Sequence, residues 1–201
     1  MRRKSYISAS VLLAMLLLLP VCKTEGQNIA VKSDLLTGML SSPNLGVEVR
    51  LSERFTLETG FHYNPFPAGE NKRWKHWFVQ PELRYWMCQP YGGHFFGVNL
   101  TYGVYNAGKM KLPLGLFKGV RSDRYEGNVM GAGFSYGYHF ILSPHWGLET
   151  SLGIGFLHTA YERYRCLHCG EKTGSGRKSF IAPTKAAVSL VYMICLLYTS
   201  P

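Results

Sequence analysis

Between residues 28 and 194, apolar and polar residues alternate along eight separate runs, and this period of two is what most limits the fold. The runs fall at about 28–37, 44–51, 55–63, 75–87, 94–106, 125–142, 146–162 and 180–194. The clearest is His76-Trp77-Phe78-Val79-Gln80-Pro81-Glu82-Leu83-Arg84-Tyr85-Trp86. Trp77, Val79, Pro81, Leu83 and Tyr85 share one of its faces, and Gln80, Glu82 and Arg84 share the other. Such a strand separates two unlike environments. No long amphipathic helix is visible, and glycine and aromatic residues are frequent at 22 and 14%. A chain of 201 residues with these features is expected to be one all-β domain.

The connections between runs alternate in length. Ser52-Glu53-Arg54, Cys88 to Gly93 and Ser143-Pro144-His145 are short, whereas 64–74, 107–124 and 163–179 are long, with 38–43 the shortest of the long set. Long loops therefore gather at one end of the sheet, and short turns share the other end with both termini. An even strand number with this asymmetry predicts an eight-stranded antiparallel up-and-down β-barrel of outer-membrane type. Soluble barrels of eight strands also exist, so the environment of each face has to decide between them.

One face collects Leu45, Val47, Val49, Phe55, Leu57, Phe61, Val98, Leu100, Phe134, Tyr136, Leu152, Ile154, Leu190 and Tyr192. The other collects Lys32, Asp34, Glu48, Arg50, Glu58, Gln80, Glu82, Arg84, Glu149 and Lys185, with Gly131, Gly133, Gly137, Gly153 and Gly155 among them. Water outside would make the apolar face the core, as in an exported soluble barrel that binds a small apolar ligand. Lipid outside would make the polar face the lumen. Small residues suit the crowded interior of an eight-stranded barrel. The four basic and five acidic residues nearly balance, as enclosed charges must, because an unpaired buried ion costs several kcal/mol. Those ten polar residues are accordingly predicted to form a lumen network. Pro81 cannot donate to a ladder, so a bulge or irregularity is expected beside it.

Residues 1–26 read as a secretory signal peptide. Arg2, Arg3 and Lys4 precede an apolar run that is densest from Val11 to Pro20, and Thr24 and Gly26 sit at −3 and −1 to Gln27. Leu19-Pro20-Val21-Cys22 resembles a lipobox, but Val21 is bulky where that motif takes a small residue, so cleavage before Gln27 is the expected processing. No other apolar run reaches about 18 residues, and a transmembrane helix is not predicted.

Little in the chain points to chemistry. Cys166-Leu167-His168-Cys169 has the spacing of half a zinc site without a second ligand pair, and in an exported chain Cys166 and Cys169 are read as a loop disulfide. Cys88 stands alone. Ser135, His139 and Glu149 face the same way, but four residues along a strand span about 13 Å, too far for a nucleophile and its base. No catalytic, cofactor-binding or metal-binding residue is therefore assigned, and the expectation is a non-enzymatic protein without cofactors. The formal charge of +10 comes without a basic helix or an aromatic nucleic-acid motif, so nucleic acid is not an expected partner. The long connections carry Lys72, Arg73, Lys75, Lys109, Lys111, Lys118, Arg121, Arg124, Arg163, Arg165, Lys172, Arg177 and Lys178. These have two readings: contacts with lipopolysaccharide phosphates and outer-membrane lipid, or ordinary solvated loops. Leu112-Pro113-Leu114-Gly115-Leu116-Phe117 is apolar for a loop, which fits folding over the barrel mouth or contact with a surface protein.

Asn28 to Lys32, Ser42-Pro43-Asn44-Leu45-Gly46, Lys75-His76-Trp77, Gln80 to Trp86, Gly93-His94-Phe95-Phe96-Gly97, Arg124-Tyr125-Glu126-Gly127, Gly131 to Tyr138 and Pro183-Thr184-Lys185-Ala186-Ala187 together resemble an uncharacterised Bacteroidota family of small exported proteins. That family is grouped with outer-membrane β-barrels and often encoded near fimbrial genes. The resemblance covers about Gln27 to Ile194 and implies location and fold, with no catalytic residues to carry over; nearby fimbrial genes add a fimbrial protein to the surface protein as the two candidate partners. It sets the expected domain at 27–194 and leaves 195–201, Cys195-Leu196-Leu197-Tyr198-Thr199-Ser200-Pro201, as a non-native tail resembling adapter read-through.

Overall fold

In the computed structural model, which describes residues 28–39, 42–65, 73–108, 124–164 and 172–195, the alternating runs become the strands of one antiparallel sheet. They are β1 (Asn28–Asp34), β2 (Asn44–Arg50), β3 (Phe55–Asn64), β4 (Arg73–Trp86), β5 (Gly93–Gly108), β6 (Arg124–Ile141), β7 (Trp146–Tyr164) and β8 (Lys172–Cys195). Each pairs with the next, and β1 pairs back onto β8 from Asp34↔Ser189 to Asn28↔Cys195, so the sheet closes into a barrel. The eight antiparallel strands match the expected number and order. Connections at 51–54, 87–92 and 142–145 lie at one end with the start of β1 and the end of β8.

Several boundaries differ from the expectation, most at the end of β1 and in the β7–β8 hairpin. The first run leaves the sheet at Asp34 and enters a five-residue helix, α1 (Leu35–Met39). Asp34 caps it: its Oδ1 accepts from Leu36 N at 3.1 Å, and its Oδ2 from Thr37 N at 3.3 Å and Thr37 Oγ1 at 2.7 Å. The last long loop is shorter than expected, because β7 and β8 continue as a hairpin to Tyr164 and Lys172. Residues 172–179 contain Gly174, Gly176 and Ser175, which give no hydrophobic period; their pairing comes from the register that β7 offers. Arg163, Lys172, Arg177 and Lys178 consequently lie on strands and not in loops, as do Arg73, Lys75 and Arg124, because β4 begins at Arg73 and β6 at Arg124. The other expected loop cations, the apolar stretch 112–117 and the pair Cys166 and Cys169 lie outside the described residues.

The polar face points inward and the apolar face outward. Glu82 and Arg84 are both 0% exposed, whereas Phe134 is 71% and Leu152 70% exposed. An arrangement with an apolar interior and a charged exterior does not describe this barrel.

Pro81 does not produce a bulge. Its pairing with Thr59 on β3 is in step, and the β4–β5 register is the same at Val79↔Tyr102 and at Glu82↔Asn99. Only Gln80 and Pro81 drop out of the β4–β5 ladder, since a missing N–H can break a rung without inserting a residue. A register shift lies instead in the opposite wall, between Gly153 and Ile154 of β7, where β8 contributes Thr184 as an extra residue beside Pro183; a second lies between Arg163 and Tyr164, near the loop end. Gln80 links the broken rung and the Thr184 irregularity across the lumen: its Nε2 donates to Thr184 O at 2.9 Å and to Thr101 Oγ1 at 3.0 Å.

The Thr184 side chain occupies a recess that only glycine leaves open. A Cβ at Gly133 would meet Thr184 Oγ1 at 2.6 Å and Ile154 O at 2.8 Å, and one at Gly155 would meet Thr184 Cγ2 at 2.8 Å. Gly133→Val is therefore expected to lower stability by about 1–3 kcal/mol through overpacking. Gly174→Val, where a Cβ meets nothing within 4 Å, should leave stability close to that of the parent chain. Urea titration followed by tryptophan fluorescence separates the two.

Candidate functional site

Three glutamates stand side by side inside the barrel because the register aligns them. Glu48 is opposite Glu58 across β2 and β3, and Glu58 is opposite Glu82 across β3 and β4. Like charges directly opposite on adjacent strands repel. A fourth carboxylate, Glu149 of β7, reaches the same space. This concentration of buried anions can persist only with cations held inside it.

Arg84, one step along β4 from Glu82, is the cation that touches all four. Its Nε lies 2.6 Å from Glu82 Oε1, and its Nη1 lies 3.0 Å from Glu48 Oε2. Nη1 and Nη2 hold the two oxygens of Glu149 at 2.9 Å each, a bidentate fork that a lysine cannot reproduce. It also pairs with Glu58. The guanidinium lies over the Phe95 ring, 4.3 Å from its centroid, so its open face is covered by an aromatic. Lys32 of β1 pairs with Glu48 and reaches Glu149 at 2.5 Å. Lys185 of β8 reaches Glu58 at 3.2 Å and Glu82 at 3.1 Å. Three cations and four carboxylates from six strands thus form one connected cluster.

Seven of the ten predicted network residues meet here: Lys32, Glu48, Glu58, Glu82, Arg84, Glu149 and Lys185. Gln80 is the cross-lumen link described above. Asp34 is spent on capping α1 and on accepting from Val188 N at 3.1 Å. Arg50 does not join either; its Nε donates to Ser52 O at 3.1 Å at the turn end. The alternation placed Arg50 on the correct face, but it sits one rung too close to the chain reversal at 51–54 to reach the carboxylates. The lysines that reach Glu58 are Lys32, at 3.8 Å, and Lys185.

Below the cluster, the turn end is closed by aromatic residues that the sequence reading did not single out. Trp86 is fully buried, 4.8 Å from the Phe95 ring and 6.1 Å from His139. Its Nε1 donates to Thr56 Oγ1 at 2.9 Å, and Thr56 in turn donates to Glu48. Tyr91, from the 87–92 turn, folds back under the barrel against Ala30 and Val191. It does so with φ at 62°, a left-handed backbone that an aromatic residue rarely adopts. Burial, reinforced by the Glu48 charge, pushes the Tyr91 phenol well up from its ordinary value. The signal for this plug was present in the Tyr91-Gly92-Gly93 turn but carries no period.

Ser135, His139 and Glu149 do not form a hydrogen-bonded triad among the described residues. His139 is opposite Glu149, yet the closest approach is 3.7 Å and Glu149 is already committed to Arg84 and Lys32. Neither Ser135 Oγ nor either ring nitrogen of His139 makes a hydrogen bond among the described residues. A Cβ at Gly97 would lie 2.8 Å from Glu82 Oε1 and would overlap Ser135 Oγ, so Ser135 and Glu82 border the same small space that Gly97 leaves open. Among the described residues no group of three or more His, Cys, Asp or Glu side chains could hold a metal ion. Cys88 is exposed and unbonded.

Residues 12–194 match the family model described as Protein of unknown function (DUF3575), and the chain belongs to that family. The match ends one residue before β8 does. No curated protein matches the chain.

Removing Arg84 leaves four carboxylates with two lysines, so Arg84→Met is expected to cost about 3–5 kcal/mol. Adding Glu149→Gln to that variant should recover part of the loss, and a double-mutant cycle in urea measures the coupling. Tyr91 predicts a pH effect. A phenol raised above its unfolded value of about 10 contributes its stability below that pH and loses it as pH rises further. Tyr91→Phe has no proton to lose and should shift base-induced unfolding to higher pH.

Proposed function

We propose that this DUF3575 protein is a non-enzymatic outer-membrane β-barrel, exported by residues 1–26, with a closed lumen and a structural or surface-interaction role. The observation that carries this reading is the inversion of polarity, with seven charged side chains joined inside the wall and large apolar side chains facing out. Water outside would leave that apolar surface unsatisfied, whereas hydrocarbon outside would not.

The height and edges of the apolar surface support it. From Trp146 to His158 on β7 is about 40 Å along the strand, or about 28 Å of height at the tilt of such barrels. Aromatic pairs lie toward the turn end: Phe55–Tyr85 at 5.3 Å, Tyr138–Phe140 at 4.5 Å and Trp146–Tyr192 at 4.9 Å. Trp77–Tyr102, at 5.7 Å, lies nearer the loop end. Amphipathic rings at two levels suit the two interfaces of a bilayer. The rigid, charge-locked interior suits a scaffold for the loop end better than a conduit. The resemblance noted above implies a fimbrial assembly as its setting.

The folded protein is expected to leave the membrane fraction only with detergent and to migrate faster unheated than boiled on a semi-native gel. In planar bilayers it should give no conductance steps. A protein that stays in solution without detergent ends this reading.

A further inference from the structure

The outer face changes character abruptly across β5 to β8, and the register lets the change be followed row by row. One row is Leu100–Ala132–Phe156–Ile181, and the next toward the loop end is Tyr102–Met130–His158–Ser179. Above these come Val104–Asn128–Ala160–Arg177 and Asn106–Glu126–Glu162–Ser175. Apolar contact therefore ends and charge begins within about two rungs. A groove of about 670 Å³ lies at this step, with the small Ala160 between Asn128 and Arg177.

The two carboxylates at the groove are already occupied. Glu126 pairs with Arg124 and accepts from Asn106 Nδ2 at 2.5 Å. Glu162 pairs with Lys172 at 2.5 Å and accepts from Tyr164 Oη at 2.7 Å. Arg177 is exposed and has no ion pair among the described residues, although it borders the same groove. Among the described residues, with Glu126 paired to Arg124 and Glu162 to Lys172, Arg177 is a cation at the groove that one phosphodiester would match.

We propose that this groove holds the phosphate of an outer-leaflet lipid, with Arg177 as its docking cation and the rows ending at Ile181 and Ser179 as the bed for its acyl chains. The proposal rests on the outer-membrane reading. An occupant must satisfy a guanidinium and an apolar surface that lie side by side, which an amphiphile does and a free anion or a hydrophilic peptide does not. The planar guanidinium can present two N–H donors to a phosphate in one plane.

The test uses the detergent-solubilised full chain, with retention of short-chain phosphatidylglycerol measured by native mass spectrometry. Diacylglycerol with the same chains is the neutral control, and inorganic phosphate is the competitor. Arg177→Gln should weaken phosphatidylglycerol binding about tenfold and leave diacylglycerol retention unchanged. Lys178→Gln should change neither, because Lys178 is opposite the inward-facing Thr159 and belongs to the other face. Equal phosphatidylglycerol binding by the parent chain and Arg177→Gln overturns the site, as does displacement of the lipid by millimolar inorganic phosphate. Heat-modifiable migration is recorded on the same samples. Its absence in the parent chain overturns the outer-membrane reading itself, whereas its presence with unchanged lipid binding overturns only the groove.

Discussion

A guanidinium enclosed by four carboxylates is the contact on which the rest of this barrel depends. Desolvating five ions is expensive, and the cost is offset only when each ion keeps its partners at hydrogen-bond distance. Arg84 meets that condition because its fork reaches Glu149 across the lumen while its Nε holds Glu82 on its own strand. Lys32 and Lys185 then neutralise the flanks. With these charges locked inside, the inner face cannot be turned outward without separating the pairs, so the outer face is committed to whatever accepts exposed leucine, phenylalanine and isoleucine.

The cluster also dictates the shape of its surroundings. Charged side chains of this length fill the narrow interior on the β1–β4 side. The facing wall is thinned by glycine, where Gly133, Gly153 and Gly155 admit Thr184. The extra residue in β8 brings the Thr184 carbonyl to Gln80, whose neighbour Pro81 has already broken the ladder on its own side. Two backbone irregularities that would each leave polar groups poorly paired are thus bridged by one amide. At the turn end Trp86, Phe95, Tyr91 and His139 pack beneath the ions and separate them from the solvent side.

Much of this was legible before any coordinates. The strand count and the pattern of short and long connections follow from alternation and turn residues. So does the separation of faces, because a period of two assigns every side chain in a strand once one is assigned. The helix Leu35–Met39 was not legible, since five residues are too few to display a helical period, although Asp34 was there as its cap. The start of β8 was missed for the opposite reason: its glycines and serines show no hydrophobic contrast at all.

The sequence by itself determined which residues share a face, how many strands there are and that the enclosed charges nearly balance, because these depend only on neighbours along the chain. It also contained the family membership. Tertiary structure alone decided which charges meet, because that depends on register between strands far apart in sequence. It joined Glu48, Glu58 and Glu82 into one row, brought Lys32 and Lys185 to them and left Arg50 at the turn end. It likewise placed the bulge opposite Pro81 while the broken rung stayed beside it, since a proline removes a donor from one ladder while the extra residue goes where the facing glycines make room.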